Sequence, residues 1–178
     1  MKQETKEKVL EIIKKFELPA YHEIPDVGLY LDQTVKYINS VYSMIPNIEI
    51  TSSMVSNYVK KGIIDRPIKK CYSRDQICYL IFIVMGKSVL SMENIQFLFQ
   101  EQKMTYTEMV AYEYLRAELR NALYFVSGIN DKLEPIGITN TDTKALLRNT
   151  IMSVAYKSYL EITLEATKYE KSETPSND

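Results

Sequence analysis

The sequence has few of the residues from which catalytic and metal sites are built. Its 178 residues include one histidine, two cysteines and five glycines. Because His22 is the only imidazole, histidine and cysteine alone cannot complete a zinc site, and a Ser-His-Asp triad would have to use His22. No GxxxxGK[ST] or GxGxxG motif is present to hold a phosphate. We therefore expect a protein with no cofactor and no enzymatic activity.

The sequence also lacks a long apolar run. The longest, ICYLIFIVM at 77–85, is far shorter than the ~20 residues that cross a bilayer, so it predicts a buried helix. The N-terminal segment MKQETKEKVL carries charges where a secretion signal has an apolar stretch. We expect a cytoplasmic protein with no membrane segment, in which Cys71 and Cys78 are reduced thiols.

Proline, glycine and capping residues divide the first half into predicted helices. A charged amphipathic helix is expected over 2–16, and another over about 30–45, ending before Pro46 because a residue ahead of proline avoids helical angles. One of the residues Thr51–Ser53 can cap a third helix, which Gly62 can end. The predicted order is helix, turn, helix.

The third predicted helix, in the stretch TSSMVSNYVKKGII, has a small polar face. Spacings of three and four residues place these side chains together: Ser53, Ser56, Asn57 and Lys60. Met54, Tyr58 and Val59 are left to face the core. Serine and asparagine can bond to DNA base edges or phosphates without bulk, while lysines supply phosphate contacts.

The segment IIDRPIKKCY, which follows Gly62, predicts a small two-stranded wing. It has β-branched residues on both sides of Asp65–Pro67, which favours two extended arms around a turn. A capping-box pattern at Ser73 and Gln76 then opens the apolar helix, which continues to about 85. Ser91 opens a further short helix.

The last ~75 residues predict a helical hairpin. A capping box at Thr105 and Glu108 opens a helix that ends near 126, and a second apolar stripe includes Ile151 and Val154. We interpret that second stripe as the seam of a two-fold homodimer, although it could instead pack internally against the first helix. The tyrosines of this half could line a ligand pocket, but core packing is the more common role.

Charge is concentrated near the middle of the chain. Between 57 and 74 there are six basic residues and one acid, Asp65, which is +5, whereas the whole chain is −1 and the remainder is therefore −6. A basic island on an acidic chain, covering the third helix and the wing, is the electrostatic pattern expected of DNA binding. Lysines that only solvate a surface are the alternative.

Two resemblances come from these residues. The run MVSNYVKKGIIDRPIKKCYSRDQICYL, 54–80, and the following SVLSMENIQFLF resemble the winged-helix domain of MerR-like regulators. LPAYHEIPDVGLYLDQ and TSSMVSNYVKKG resemble an uncharacterised bacterial family, domain of unknown function 1836. Ser56 and Asn57 replace the Arg-Tyr pair usual in MerR-like recognition helices. The C-terminal half lacks the inducer-binding features of such regulators, so an inducer cannot be named.

The sequence thus predicts a mainly α protein: a MerR-like winged helix-turn-helix over 1–102, a helical dimerisation or effector region over 103–172, and a disordered tail over 173–178. We expect it to bind double-stranded DNA as a homodimeric transcriptional regulator. A non-catalytic protein-interaction adaptor and a small-molecule-binding helical domain are the alternatives. The predicted DNA-binding residues are Ser53, Ser56, Asn57, Tyr58, Lys60, Lys61, Arg66, Lys69, Lys70 and Arg74.

Overall fold

The structure is a computed structural model, in which residues 1–137 and 141–172 are described. Helices and one small antiparallel sheet share a continuous apolar core, which confirms the mainly helical prediction. The helices are α1 (Gln3–Lys15), α2 (Leu31–Val41), α3 (Ser52–Lys60), α4 (Arg74–Gly86), α5 (Met92–Thr105), α6 (Glu108–Val126) and α7 (Asp142–Ser172). The strands are β1 (Leu29–Tyr30) and β2 (Cys71–Tyr72), and a 3-10 helix spans Tyr21–Glu23. The predicted tail 173–178 lies outside the described residues.

The apolar helix α4 lies at the centre of the fold, packed by α2, α6 and α7. Its start is the predicted capping box. The Ser73 hydroxyl accepts a hydrogen bond from the backbone N–H of Gln76, and the side-chain oxygen of Gln76 accepts one from the backbone N–H of Ser73. Beyond its first turn almost every side chain is buried. The Tyr42 hydroxyl donates to the Ile81 carbonyl at 2.7 Å, which fixes α4 to the chain that follows α2.

Helices α6 and α7 form the predicted hairpin and pack against each other. The predicted stripe on α7 is completed within one chain, because Ile151 is 0% exposed and Val154 is 1% exposed. The expectation that these two residues form a dimer seam is therefore wrong, and internal packing occupies the stripe. Dimerisation through another surface stays a prediction.

Helix α7 also packs on α1, which brings the two ends of the described chain together. The Glu170 carboxylate accepts from Thr5 Oγ1 at 2.6 Å and from the Lys2 backbone N–H at 3.2 Å. The apolar face of α1, which includes Val9 and Ile13, is buried in the common core. The first and last helices thus form one side of the molecule.

Two predicted helix boundaries differ from the structure. Helix α2 ends at 41 instead of 45, because Tyr42 leaves the helical conformation with a φ of −97° and a ψ of 10°. The capping box predicted at Thr105 is wrong: Thr105 is the last residue of α5, its hydroxyl donates to the Glu101 carbonyl, and Thr107 caps α6. The domain boundary predicted at 102/103 falls inside α5, whose buried residues belong to the common core.

Within the described parts of the chain, no helix combines the length and the apolar character needed to cross a membrane.

Candidate nucleic-acid interface

Helix α3 presents the predicted polar face to solvent. Thr51 caps it by accepting from Met54 N–H at 3.3 Å, and Gly62 follows its C-terminus with a φ of +70°, a conformation that favours glycine. Val55 and Tyr58 are buried on the opposite side. The exposed residues of the helix are Ser53, Ser56, Asn57 and Lys60. The predicted polar face is confirmed. On the core face Tyr58 is buried as predicted, but Val55 is buried as well, and Met54 and Val59 are only partly buried.

Side-chain contacts fix α3 relative to α2 across the turn 42–51. The Asn39 side chain donates to the Ile50 carbonyl at 3.0 Å and accepts from the Ile50 N–H at 2.9 Å. It thus satisfies both backbone groups of Ile50. Ser52 donates to Asp32 at 3.1 Å, and Asn47 donates to Glu161 of α7 at 2.8 Å. The exposed face of α3 is therefore held in a defined position on the molecule.

The small sheet is present, but its pairing differs from the predicted hairpin. β2 pairs antiparallel with β1, Leu29 opposite Tyr72 and Tyr30 opposite Cys71. The predicted first arm is not a strand, because Ile63 N–H donates to the Tyr58 carbonyl at 2.9 Å and ends α3. Ile63 and Ile64 are buried. We call residues 65–72 the wing; its ladder partner precedes α2.

The tip of the wing is a tight turn that displays two lysines. Ile68 and Cys71 form an isolated bridge, with Cys71 N–H donating to the Ile68 carbonyl at 2.9 Å. The two central residues have positive φ, 50° for Lys69 and 65° for Lys70, as in a type I′ turn. Such turns favour Asn-Gly, since a side chain in the left-handed region costs about 1–2 kcal/mol per residue. The chain places lysines there against this preference.

The cations on α3 and the wing are exposed and uncompensated. In the described chain no ion pair or hydrogen bond involves the side chains of these residues: Lys60, Lys61, Arg66, Lys69 and Lys70. The one acid of the island, Asp65, faces Lys103 of α5 at 3.9 Å. Elsewhere many surface lysines have acidic partners one turn away, such as Lys15 with Glu11. The result is a continuous stretch of unneutralised positive charge.

Two predicted residues do not lie on this surface. Tyr58 is 5% exposed and belongs to the core, and burial raises the pKa of its hydroxyl. Arg74 contacts its own chain: Nε donates to the Ile24 carbonyl at 2.9 Å, and the guanidinium lies 5.1 Å from the Tyr21 ring centroid. We therefore restrict the candidate interface to the exposed residues of α3 and the wing.

Exposed apolar side chains, which no sequence pattern predicts, flank these cations. Ile68 on the wing is 79% exposed, Tyr30 on β1 is 58% exposed, and Val27, just before β1, is 91% exposed. The sequence pattern predicts only a capping role for Gln76, but its side-chain amide also donates to the Asp65 carbonyl at 2.7 Å and holds the base of the wing. No local signal distinguishes these residues, because each role depends on a distant segment.

Comparison with known proteins gives one match. A family model described as "Domain of unknown function (DUF1836)" matches residues 19–116, which is more than half of the chain and includes α2, α3, the wing, α4 and α5. No curated protein and no solved structure matches. The MerR-like resemblance receives no support from these comparisons.

Proposed function

We propose that this chain, which belongs to the family of domain of unknown function 1836, binds double-stranded DNA as a transcriptional regulator of the winged helix-turn-helix type. The observation that carries the proposal is the group of exposed cations on α3 and the wing that have no acidic partner in the described chain. Neutralising phosphates with such cations releases counterions, and this release supplies much of the affinity for DNA.

The polar face of α3 supports a role as the recognition helix. The major groove of DNA admits one α-helix, and side chains on its outer face then reach base edges. Ser53, Ser56 and Asn57 are exposed, short and uncharged, so they can approach the bases while Lys60 reaches a phosphate. Asparagine can bond to adenine through both of its side-chain groups. In this arrangement Lys69 and Lys70 at the wing tip contact the phosphate backbone of the DNA beside the groove.

The experiment that tests the proposal reverses charge on α3. Changing Lys60 and Lys61 together to Glu should weaken binding to all duplexes and reduce the slope of log affinity against log salt by about one to two units, since each phosphate contact contributes ~0.9. Fluorescence anisotropy with a random duplex at several salt concentrations measures this slope.

The matched control makes the same change of charge on α1. Lys6 and Lys14 are exposed lysines of that helix, and changing both to Glu alters the net charge by the same amount. The control variant should keep the wild-type slope. Equal slopes for the α3 variant and the wild type would place any DNA contact elsewhere and would count against the proposed interface.

The same proposal includes a homodimer, because helix-turn-helix proteins commonly bind as dimers to the two half-sites of a palindromic operator. Helix α7 has a second face of apolar and small residues, opposite the one buried on α6. Its large apolar members are 44% to 56% exposed: Leu146, Tyr156, Leu160 and Leu164. Leu146 and Leu160 are two heptads apart, the spacing of a helix–helix seam. We propose a second copy of this chain as the occupant of this face.

A second candidate function is a protein-interaction adaptor. The exposed apolar side chains of Val27, Tyr30 and Ile68 lie around the wing, and apolar contacts of this kind are typical of protein interfaces. In this alternative the cations meet an acidic partner. If the purified protein retains no duplex even at low salt, the adaptor becomes the better description.

A further inference from the structure

An aliphatic side chain stands among the cations at the tip of the wing. Ile68 opens the turn and is 79% exposed, whereas Ile64, just before the wing, is buried. Arg66 precedes Ile68 by two residues, and Lys69 and Lys70 follow it directly. All three cations are exposed, and no ion pair of the described chain involves them. Single exposed apolar residues are common, but this one lies at the centre of the charged surface.

The wing holds Ile68 in a defined position. Cys71 pairs with Tyr30 of β1 on one side and bridges to Ile68 on the other, so the three side chains share one face of the ladder. At the base of the wing, the Gln76 side chain donates to the Asp65 carbonyl at 2.7 Å. A side chain on such a support loses little conformational freedom when it binds a partner.

Cations and aliphatic side chains have different targets on DNA. Phosphates attract lysine and arginine, and these contacts carry no information about sequence. An aliphatic side chain gains nothing from a phosphate, so Ile68 indicates a contact with base edges. Proteins that bind the minor groove combine arginine or lysine with an apolar side chain such as isoleucine, which they place against or between the bases.

The minor groove has one group that an apolar side chain can detect. Both kinds of base pair present acceptors there, but a G·C pair adds the N2 amino donor of guanine. This amino group projects into the groove, and an isoleucine packed against it would leave the donor without a hydrogen-bond partner. An unsatisfied donor is costly, so an isoleucine in the minor groove favours A·T pairs.

We propose that the wing tip enters the minor groove and that Ile68 selects base pairs without a minor-groove amino group. This inference rests on the DNA-binding function proposed above. In this arrangement Arg66, Lys69 and Lys70 contact the phosphates on both sides of the groove, while Ile68 lies against the base edges. The wing thus adds a preference for A·T pairs to whatever sequence α3 reads in the major groove.

Two modified bases separate the minor groove from the major groove. Inosine in place of guanine removes the amino group and leaves the major-groove O6 and N7 unchanged, whereas 2,6-diaminopurine in place of adenine adds an amino group and leaves N6 and N7 unchanged. The wild-type protein should bind a duplex of alternating inosine and cytosine about fivefold or more tightly than one of alternating guanine and cytosine, the ratio expected for one unsatisfied donor. Diaminopurine should weaken binding to an alternating A·T duplex by a similar factor. Fluorescence anisotropy at one fixed salt concentration measures all four affinities.

Substitutions at Ile68 test whether its side chain causes the preference. Ile68→Ala should bring both ratios close to one, because it removes the aliphatic contact and keeps the cations. Ile68→Val retains a branched aliphatic group and should keep the preference. Met104→Ala is the matched control, since Met104 is 75% exposed on α5, and it should give the wild-type ratios. Circular dichroism melting checks that each variant is folded.

Two results would overturn this inference and leave DNA binding intact. The first is equal affinity of the wild-type protein within each pair of duplexes, which is also expected if Ile68 serves a protein partner. The second is a preference that persists in folded Ile68→Ala, which would assign it to the cations and the width of the groove. Failure to bind any of the four duplexes at low salt would instead overturn the DNA-binding proposal together with this inference.

Discussion

At the scale of single residues, Lys69 and Lys70 at the wing tip supply positive charge but hold the backbone at a positive φ, which is strained for lysine. Changing Lys69 to Asn and Lys70 to Gly supplies the residue pair that a type I′ turn favours. We expect this variant to be more stable by about 1 kcal/mol, since glycine and asparagine tolerate positive φ better than lysine does, and this gain outweighs the entropy of the added glycine. Urea denaturation measures the gain. Affinity for duplex DNA should fall, because two phosphate contacts are lost.

The control for this prediction changes Lys69 and Lys70 to Gln. It removes the same two charges but retains long side chains at positive φ. DNA affinity should therefore fall to a similar degree while stability stays near that of the wild-type protein. The interpretation would be wrong if the Asn-Gly variant proved no more stable than the Gln-Gln variant.

Sequence predicted the exposed residues of α3 because their positions follow from helical period alone. It could not separate Arg66, which is exposed, from Arg74, which contacts the chain near Ile24. Both arginines stand in a run of basic residues, and their difference depends on contacts with a segment about 50 residues earlier. Tyr58 shows the same limit, since an amphipathic side chain is compatible with either face.

At the scale of elements, Gln76 joins α4 to the wing through the two ends of one amide. Its oxygen accepts from Ser73 N–H at 2.9 Å, and its nitrogen donates to the Asp65 carbonyl at 2.7 Å. Gln76→Glu keeps an acceptor for the cap but removes the donor to the wing. We expect faster hydrogen exchange of the Cys71 amide, which donates to the Ile68 carbonyl within the wing, with little change in the stability of α4.

Ser73→Ala provides the complementary change. It removes the side-chain acceptor for Gln76 N–H and should lower the free energy of unfolding by about 1 kcal/mol, while the amide of Gln76 still holds Asp65. The Cys71 amide should then exchange as fast as in the wild-type protein, apart from the contribution of global unfolding. Wild-type exchange rates in the wing of Gln76→Glu would show that this bond does not hold the wing.

Local signals predicted the ends of α3 and α4 well, because a capping serine or threonine acts within three residues of its own position. Strand pairing was not predictable in the same way. Strand β2 has only two residues and could pair with any extended segment of suitable register. Its partner is β1, which is separated from β2 in the sequence by α2 and α3. The choice of partner depends on the folded arrangement, so the residues of IIDRPIKKCY alone do not show that β2 pairs with β1.

At the scale of the whole molecule, α7 has one face inside the fold and one face open to solvent. Leu160→Glu should leave a folded chain, because Leu160 is 56% exposed, but it should dissociate the proposed dimer by placing two carboxylates in the seam. Ile151→Asp should instead unfold the C-terminal half, since Ile151 is fully buried against the chain's own core.

Light scattering gives the mass, and circular dichroism gives the helical content of each variant. The expected pair of results is a helical monomer for Leu160→Glu and a loss of helicity for Ile151→Asp. A wild-type protein that is monomeric at all concentrations, or a Leu160→Glu variant that remains dimeric, would exclude this face as the seam. The spacing of apolar residues predicted α7 itself but could not specify which neighbour covers each face.

The contact between α1 and α7 has a consequence for biosynthesis. Glu170 meets Thr5 across a separation of 165 residues, so α1 emerges from the ribosome long before its partner. At the usual speed of translation, ~5–20 residues per second, this interval lasts roughly 10–30 s. Until α6 and then α7 have been made, the apolar side chains of Val9 and Ile13 lack the helices that pack on α1. Helix α1 is thus made before α7 but acquires its full packing only after α7 has been made.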